Sequence, residues 1–462
     1  MISQMTAKRT DNTLREELIM KMKRILAMAI STVMTVTMLA GCGGQGAPAD
    51  ASGAAGESGA ATEASGDASG RPVVTILNSK MEIQEQLEEM AQAYSESHDA
   101  DLEVYYSSDT IAAHLSTRYA ANEPYTLAMV DAKDVYSLAA EHAVDLSSED
   151  WVKDTTEAIS VDGKVYGFPV CVEARGIIYN ADAIKKITGK DFDPESVKTL
   201  DDFSALLDEL KAGGMAAPTG IMKEDWSLAA HYLAEVYEQH DDPDAFLQSL
   251  HDGSANIIKD DIFNSMMDTF DVLKANNYAA GNAISAEREV TEQKLAEGEI
   301  AFMFGGNWDW SVINQYDYSE NMGIMPVPQN TSSDANTKLV GGGSKYFFID
   351  SSDNTSEAQV QAAKDFLNWL VYDEEGQKFI VNDCALVPAY SNITLAVSDP
   401  LGSSVKAYAD KGALIANYNY CPDDHYSKLG AAFQEYLGDK SDREGFAKAI
   451  DTYWQDATLT EH

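Results

Sequence analysis

From residue 71 onward, short runs of β-branched and aliphatic residues alternate with segments of helical periodicity. Residues 73–77 (VVTIL) are typical of a strand, and apolar residues from Ile83 to Tyr94 then recur at helical spacing. Such alternation with short connections predicts an α/β fold, in which right-handed crossovers join parallel strands. Further strands are predicted at 102–106, 125–130, 165–170, 176–179, 300–304 and 345–349. Further helices are predicted at 111–121, 134–140, 181–188, 200–211, 226–238, 260–275, 286–297, 356–371 and 374–383, with more after 402.

Polar residues follow the first and third of these predicted strands. Asn78, Ser79 and Lys80 come after the first strand, and Asp131 and Lys133 come after the third. In open α/β sheets, ligands bind beyond the carboxyl ends of strands. We therefore expect these residues at the edge of a binding site.

The charge balance excludes several classes of partner. The chain has 462 residues, with 33 Lys and Arg against 75 Asp and Glu, a formal net charge of −42. Such a surface repels phosphate backbones and anionic headgroups, which argues against nucleic-acid binding. Four cysteines are too few for a disulfide scaffold and lack the spacing of a zinc site, so neither a metal nor a cofactor is predicted.

The N-terminus predicts export. A basic patch at residues 21–24 precedes an apolar stretch, 25–40, which are the first two parts of a secretory signal. Leu39-Ala40-Gly41-Cys42 then resembles a bacterial lipobox, so we expect a signal peptide over 1–41 and lipidation of Cys42. Residues 1–20 lie upstream of the basic patch and match no part of a signal, which indicates a spurious extension.

Residues 42–70 predict a flexible tether rather than a folded element. They are rich in Gly, Ala and Ser and carry no aromatic residue, so they cannot bury enough surface to offset their ordering entropy. No run of eighteen apolar residues occurs, so contact with the membrane is expected only through the lipid anchor. The predicted location is extracytoplasmic, anchored to the cell membrane on the cell surface or in the periplasm.

Four blocks of sequence in the body resemble one family. In order along the chain they are Asp162–Asn180 (with PVCVEARGIIYN), Glu297–Ser311 (with GGNWDWS), Gly323–Pro328 with Val340–Ser344, and Ala362–Pro388. Their order and spacing resemble those of the extracellular solute-binding proteins of ABC importers (family 1), the maltose/maltodextrin-binding proteins among them. The resemblance implies a two-lobed clamshell of the type II periplasmic-binding-protein class, with three hinge crossings and a sugar held in the cleft.

The same resemblance implies a division of the body and a set of partners. The first lobe would comprise 71–170 and 303–340, and the second 171–302 and 341–462. The partners would be an oligosaccharide ligand and the permease subunits of an ABC transporter, and the protein would act as a monomer and catalyse no reaction.

Aromatic residues are the first group of candidate ligand contacts. Trp308 follows a Gly-Gly-Asn turn and matches the family's stacking tryptophan, whereas Trp310 is expected to be structural. Trp226 stands where the family has a loop tyrosine, and Tyr426 matches more loosely an aromatic pair near the C-terminus. Sugars offer apolar C–H faces to such rings, although Tyr426 could equally be a surface residue.

Charged residues form the second group of candidates. Glu173 interrupts an apolar strand, where a carboxylate is costly unless it is paired or faces a cleft; an ion pair with Arg175 is the alternative. Glu224 precedes Trp226 in the family's loop, and a helix N-terminus capped by Asp225 is the alternative. Lys80, Asp131 and Lys133 match basic and acidic contacts of the first lobe and could equally be solvated loop charges.

The remaining cysteines carry no chemistry in this interpretation. Cys171 lies in an apolar strand and is expected to be a buried thiol. A disulfide between Cys384 and Cys421 remains open in an exported protein.

Two other functional classes compete with a sugar receptor. One is a receptor for a cationic or peptide solute, since the chain is strongly acidic. The other is a secreted glycosidase, which needs two carboxylates about 5–9 Å apart, and Glu173 with Glu224 would be the pair. No nucleophile elbow, metal cluster or phosphate loop is present in the sequence, so no catalytic residue is predicted.

Overall fold

The computed structural model describes residues 70–107 and 111–459. The predicted signal peptide, the lipidation site Cys42 and the tether up to residue 69 lie outside the described residues and stay predictions. Within the described part of the chain, no helix combines the length and the hydropathy that crossing a bilayer would require.

Ten strands and fifteen α-helices make up the described residues. The strands are β1 (Val73–Asn78), β2 (Asp101–Tyr106), β3 (Leu127–Asp131), β4 (Ile159–Val161), β5 (Lys164–Asn180), β6 (Thr219–Gly220), β7 (Phe302–Gly306), β8 (Met322–Met325), β9 (Leu339–Ile349) and β10 (Leu414–Ile415). The helices are α1 (Gln84–Ser97), α2 (Ile111–Ala120), α3 (Ala132–His142), α4 (Ala181–Thr188), α5 (Leu200–Ala212), α6 (Ala234–Glu238), α7 (Pro243–His251), α8 (Asp261–Ala275), α9 (Arg288–Ala296), α10 (Trp310–Ile313), α11 (Glu357–Tyr372), α12 (Glu374–Lys378), α13 (Pro400–Asp410), α14 (His425–Leu437) and α15 (Arg443–Asp456). Two π-helical segments adjoin α6 and α12, Trp226–Leu233 and Phe379–Asp383. Short 3-10 turns lie at Met81–Ile83, Asp150–Asp154, Pro194–Ser196, Ile257–Lys259, Ala280–Ser285, Asn307–Asp309 and Asp334–Thr337.

The sheet is mixed. Its main strand order is β2-β1-β3-β9-β5-β7-β6, with β10 beside β9, and β4 and β8 beside β5. The strands β1, β2 and β3 are parallel, as the alternation of strand and helix predicts. The prediction of parallel pairing is wrong for the centre, where β9 runs antiparallel to β3 and β5, and β5 runs antiparallel to β7 and β8. The connections between these strands are long and contain several other helices and strands, so they are not simple crossovers.

The strand β5 connects the two halves of the sheet. The sequence predicts two strands there, 165–170 and 176–179, but one strand of 17 residues spans both. Its first half pairs with β9 from Phe168 to Arg175, and its second half pairs with β7 from Arg175 to Tyr179. Charged residues interrupt the apolar pattern in the middle of β5 because this part faces the cleft described below.

Two large hydrophobic cores flank this connection and define two lobes. The first-lobe core packs α1 against α11, with Tyr94 edge-on to Phe366 at a ring distance of 5.3 Å. The second-lobe core includes Phe270 and Phe433, whose rings lie 4.5 Å apart. The chain passes between the lobes along β5 and β9, and again between α11 and α14, which gives the three crossings of a type II clamshell.

The residue division between the lobes stays a prediction, and α11 and β8 do not follow it: β8, which the prediction assigns to the first lobe, pairs with the second half of β5. The predicted boundary assigns everything after residue 340 to the second lobe, yet α11 packs on α1 through Phe366 and Trp369, which both contact Tyr94. Sequence motifs mark the crossings but do not show on which core the helix after a crossing packs.

The cysteines Cys171, Cys384 and Cys421 are free thiols, so the disulfide between Cys384 and Cys421 is not formed. Cys171 is fully buried in β5, as expected, and its Sγ lies 3.4 Å from Ser344 Oγ.

Candidate ligand-binding cleft

A cleft of about 970 Å³ lies between the lobes. Its floor is the middle of β5 and β9, and its walls include the ends of β1 and β3, the segment Trp226–Leu233 and the start of α9. The cleft brings together seven of the eight predicted ligand residues: Lys80, Asp131, Lys133, Glu173, Trp226, Trp308 and Tyr426. The parallel strands β1 and β3 are neighbours, which is why the residues that follow them meet at the same edge.

Lys80 and Glu173 form an ion pair on the floor. Lys80 Nζ donates to Glu173 Oε1 at 2.6 Å and to Glu82 Oε1 at 2.5 Å, and the Lys80 side chain is only 4% exposed. Burial alone would lower the pKa of Lys80, but the carboxylate of Glu173 reverses this and holds it above its ordinary value. Burial would likewise raise the pKa of Glu173, but Lys80 lowers it below the ordinary value. Both groups are therefore charged, and the proposed alternative partner of Glu173, Arg175, is engaged elsewhere.

Two more ion pairs stand at the first-lobe side. Lys345 Nζ on β9 donates to Asp131 Oδ1 at 2.5 Å. Lys133 Nζ on α3 donates to Asp423 Oδ1 at 2.5 Å, and Asp423 lies just before α14. Asp131 and Lys133, which the sequence predicts as ligand contacts of the first lobe, are thus each held by a partner of opposite charge.

Arg175 contacts two carboxyl groups on the second-lobe side of the cleft, those of Glu235 and Glu238. Its Nη2 donates to Glu238 Oε2, its Nε lies 3.4 Å from Glu235 Oε1, and its Nη1 donates to Asn417 Oδ1 at 2.8 Å. Burial raises the pKa of Glu235 to about 8, although Arg175 opposes this rise. Burial also raises the pKa of Glu238, and Arg175 opposes that rise as well. Of the two carboxyl groups that Arg175 faces, Glu235 is therefore protonated at neutral pH.

Trp226, His231 and Trp308 form an aromatic wall of the cleft. His231 lies between two tryptophan rings, 5.2 Å from Trp226 and 4.9 Å from Trp308 between ring centroids. The guanidinium of Arg288 stacks over Trp226 at 4.4 Å, a cation–π contact. Burial lowers the pKa of His231 well below its ordinary value, and the charges of Arg175 and Arg288 lower it further. His231 is therefore neutral.

The glycine that precedes Trp308 in the Gly-Gly-Asn turn makes room for its ring. A Cβ at Gly306 would lie 2.2 Å from the indole Cζ3 of Trp308, so only glycine lets the ring fold back over the backbone. Trp310 is buried and contacts Tyr318 edge-on, as a structural residue would.

Glu224 does not line the cleft. Its Oε1 accepts the backbone N–H of Arg288 at the start of α9, at 3.2 Å. The alternative reading of this loop describes it better, because Asp225 accepts the N–H of Trp226 at the start of the π-helical segment. Glu224 stays a prediction as a ligand residue, and in this structure its Oε1 is engaged at the start of α9.

Two neighbouring acidic residues, Asp309 and Glu292, complete this wall beside Arg288. Arg288 Nη1 donates to Asp309 Oδ1 at 2.5 Å, and Asp309 Oδ2 also accepts the N–H of Gly306 at 2.9 Å. Burial and the neighbouring Asp309 raise the pKa of Glu292 to about 9, so Glu292 is a neutral acid at pH 7.

Tyr426 is the last of the predicted ligand residues that line the cleft. It lines the end of the cleft at the first turn of α14 and is 40% exposed. The chain before it, 417–423, supplies further lining residues, Asn417 and Asn419 among them.

Sequence reasoning missed several lining residues: Arg175, His231, Arg288, Glu292, Lys345 and Asn417. Arg175 was visible as a second charge in the apolar strand, two residues after Glu173 and thus on the same face. The others carry no local pattern, because they reach the cleft from helices and strands far apart in sequence. Within residues 70–107 and 111–459, no three His, Cys, Asp or Glu side chains are grouped as metal ligands.

Comparison with family models places this clamshell among exported receptors. The model described as "Bacterial extracellular solute-binding protein" matches residues 89–413, more than half of the chain. The chain belongs to this family. The match spans both lobes and most of the walls of the cleft, from α1 to the end of α13.

Two similar proteins have names that state their ligands. The melibiose/raffinose/stachyose-binding protein MelE of Bacillus subtilis is 21% identical over 368 residues, which cover 76% of this chain and 81% of that protein. The maltodextrin-binding protein MdxE of the same organism is 22% identical over 186 residues, 40% of this chain and 42% of that protein.

Solved structures of the family share the fold. The apo form of RafE from Streptococcus pneumoniae superposes with a TM-score of 0.68 at 19% identity, covering 84% of this chain and 98% of that chain. A sugar transporter of Bacillus licheniformis in complex with stachyose gives a TM-score of 0.62 at 18% identity, covering 83% and 99%. These similarities support the type II clamshell architecture.

Proposed function

We propose that this chain is the extracytoplasmic receptor of an ABC importer and binds an oligosaccharide in the cleft between its lobes. The observation that carries the proposal is the pairing of an aromatic wall, Trp226 and Trp308, with a floor of ion-paired charges around Lys80 and Glu173. Aromatic rings suit the C–H faces of sugars, and charged groups offer strong hydrogen bonds to hydroxyls. The volume of about 970 Å³ is that of a pocket for a ligand of several rings.

The names of the relatives support a sugar as the solute. MelE is named for melibiose, raffinose and stachyose, and a solved complex of RafE holds raffinose. We propose a ligand of the same class for this chain, a short oligosaccharide.

Clamshell closure is the mechanism we propose. The cleft has groups from both lobes, so a ligand that contacts both walls binds the closed form more tightly and shifts the population toward it. The permease subunits would then recognise the closed form. A monomer tethered through lipidated Cys42 would carry out this role at the outer face of the membrane.

A glycosidase is less well supported. The proposed carboxylate pair does not face one ligand, because Glu224 is engaged at the start of α9 and Glu173 is held as an anion by Lys80. The protonated acid of the cleft, Glu292, hydrogen-bonds Asp309 rather than standing across a bond from it. We therefore propose that the bound sugar is not cleaved.

Tryptophan fluorescence of residues 67–462 tests this function directly. The protein is titrated with melibiose, raffinose, stachyose, maltotriose and N-acetylated chitotriose, and each sugar is analysed for cleavage afterwards. We expect a saturable change with one of these sugars, recovered intact. A response to spermidine or a peptide and to none of the sugars would support a receptor for another solute, and sugar cleavage would support the glycosidase.

A further inference from the structure

We infer that the cleft selects uncharged oligosaccharides and rejects sugars that carry a carboxylate or an amine. This inference rests on the proposed function and narrows its ligand. It follows from the charged side chains that line the cleft, because each lining lysine and arginine has a carboxylate partner within the protein.

Every lysine that lines the described cleft already holds a carboxylate. Lys80 is shared by Glu82 and Glu173 at 2.5 and 2.6 Å, and Lys345 holds Asp131 at 2.5 Å. Lys133 holds Asp423 at 2.5 Å and lies 3.7 Å from Asp134.

Each of the two arginines also has a carboxylate partner. Arg175 donates to Glu238 and to Asn417, and Arg288 donates to Asp309 at 2.5 Å and to Ser227 Oγ at 2.8 Å. The guanidinium plane of Arg288 is also held in place, since it stacks on the ring of Trp226. No lining cation of the described residues is thus left for a ligand carboxylate.

The lining carboxylates are equally engaged. Glu82, Asp131, Glu173, Glu238, Asp309 and Asp423 are the partners just named, and the remaining acid, Glu292, hydrogen-bonds Asp309. An ammonium group of a ligand would therefore find no carboxylate that lacks a cation. The acidic surface of the chain attracts cations in general, but the cleft itself offers them no unpaired partner.

A charged ligand must lose water on entry and break one of these pairs, and both steps are unfavourable. In the buried pairs, which are Lys80 with Glu173, Arg175 with Glu238 and Arg288 with Asp309, a charge left without its partner is strongly destabilising. A hydroxyl group has no such penalty, because it can donate to a paired carboxylate and accept from a paired cation at the same time. A cleft with internally paired charges is therefore suited to a polyol.

The test compares matched ligands on the purified protein by calorimetry. The neutral sugar that binds in the panel above, raffinose for example, is compared with its derivatives in which a primary hydroxyl is oxidised to a carboxylate or replaced by an amine. The derivatives are prepared at each terminal ring in turn. We expect both kinds of derivative to bind at least about 30-fold more weakly than the parent at every position that contacts the protein.

A variant that frees one cation tests the cause. Asp131→Asn removes the partner of Lys345 with little change in shape, so we expect the carboxylate derivative to gain at least about threefold in affinity relative to the parent sugar. Asp410→Asn removes an exposed partner of Lys406 on α13, outside the residues that line the cleft, and is the matched control with no gain expected.

The outcomes separate this inference from the proposed function. If no neutral or charged sugar binds, the proposed function fails. If the neutral sugar binds but its carboxylate or amine binds equally well, the function stands and the inference is overturned. An Asp131→Asn variant that binds the neutral sugar without any gain for the carboxylate would also overturn it, because charge pairing would not be the cause of rejection.

Discussion

The position of a single ring in the aromatic wall depends on a residue that cannot contact a ligand itself. Gly306 has an ordinary extended backbone, so its importance is steric: a Cβ would lie 2.2 Å from the Trp308 ring. We expect Gly306→Ala to weaken sugar binding by displacing Trp308, although the ring remains present. Trp308→Ala should weaken binding at least about tenfold, about 1.4 kcal/mol, and Trp308→Phe should weaken it less.

Calorimetric titration of these three variants measures the effect, with Trp369→Phe as the control. Trp369 packs against Tyr94 in the first-lobe core, outside the residues that line the cleft. Wild-type affinity in both Gly306→Ala and Trp308→Ala would contradict a role for this ring in binding.

Glu235 gives a prediction about pH. Its side chain is 3% exposed, and burial raises its pKa to about 8 from an ordinary value near 4.5. Between pH 4.5 and 8 the folded protein keeps a proton that the unfolded chain has lost, so this group stabilises the fold fully at low pH and loses its contribution as pH rises to 8. Glutamine mimics the protonated form.

We therefore expect Glu235→Gln to match the wild type near pH 4.5 and to exceed its free energy of unfolding by more than about 1 kcal/mol at pH 8.5, as urea denaturation at the two pH values would show. Glu238→Gln is the contrasting variant, because it removes the carboxylate that holds Arg175 and accepts the N–H of Tyr418, and it should destabilise at both pH values. A difference between Glu235→Gln and the wild type that does not vary with pH would contradict this assignment.

At the scale of elements, β5 and β9 approach each other closely where they cross between the lobes. A Cβ at Gly341 would lie 2.5 Å from the carbonyl oxygen of Glu173 and 2.5 Å from Cβ of Ala174. Neither backbone can move without loss of the pairing that positions Glu173. We expect Gly341→Ala to lower the free energy of unfolding by about 1–3 kcal/mol.

Urea denaturation measures this loss, and Gly281→Ala is the matched control, since a Cβ there meets nothing within 4 Å. Equal stability of the two variants would show that the strands can separate at no cost.

Helices were predictable from sequence where capping chemistry is local. Residues 181–188 were predicted as a helix and α4 has these bounds, because Asn180 accepts the N–H of Ala183 and Gly189 ends the helix with φ at +71°. Helix α7 was missed although Asp242 and Pro243 give the same kind of signal. Sheet direction was not predictable in the centre, since the antiparallel partner of β5 there, β9, is distant in sequence.

The residues of the candidate site were likewise predictable only where the signal is local in sequence. Glu173 was visible because a charge in an apolar strand needs a local explanation, whereas its partner Lys80 lies 93 residues away and only the fold brings them together. Glu224 shows the converse: its neighbours in sequence resemble a ligand loop, but it is not among the lining residues and its Oε1 accepts the N–H of Arg288.

At the scale of the molecule, one ion pair joins the walls of the cleft from opposite sides. Lys133 lies on α3, against the first-lobe strands, and Asp423 precedes α14, whose residues pack in the second-lobe core. Between the same two regions, the rings of Tyr136 and Tyr420 lie 4.7 Å apart. Both contacts break when the lobes separate, so they favour the closed form over the open form.

We expect Lys133→Asp and Asp423→Lys each to weaken sugar binding by up to about fivefold, since the pair is exposed and such pairs contribute about 0.2–1 kcal/mol. The dissociation rate should rise accordingly, because opening is easier, and the exchanged double variant should recover much of the loss. High salt should reduce the difference between the wild type and the single variants, as it screens an exposed pair. Stopped-flow fluorescence gives the rates, and small-angle scattering of the sugar-free protein gives the degree of opening. Single variants that lose affinity without recovery in the double variant would show that the two residues act separately on the ligand and not as a latch between the lobes.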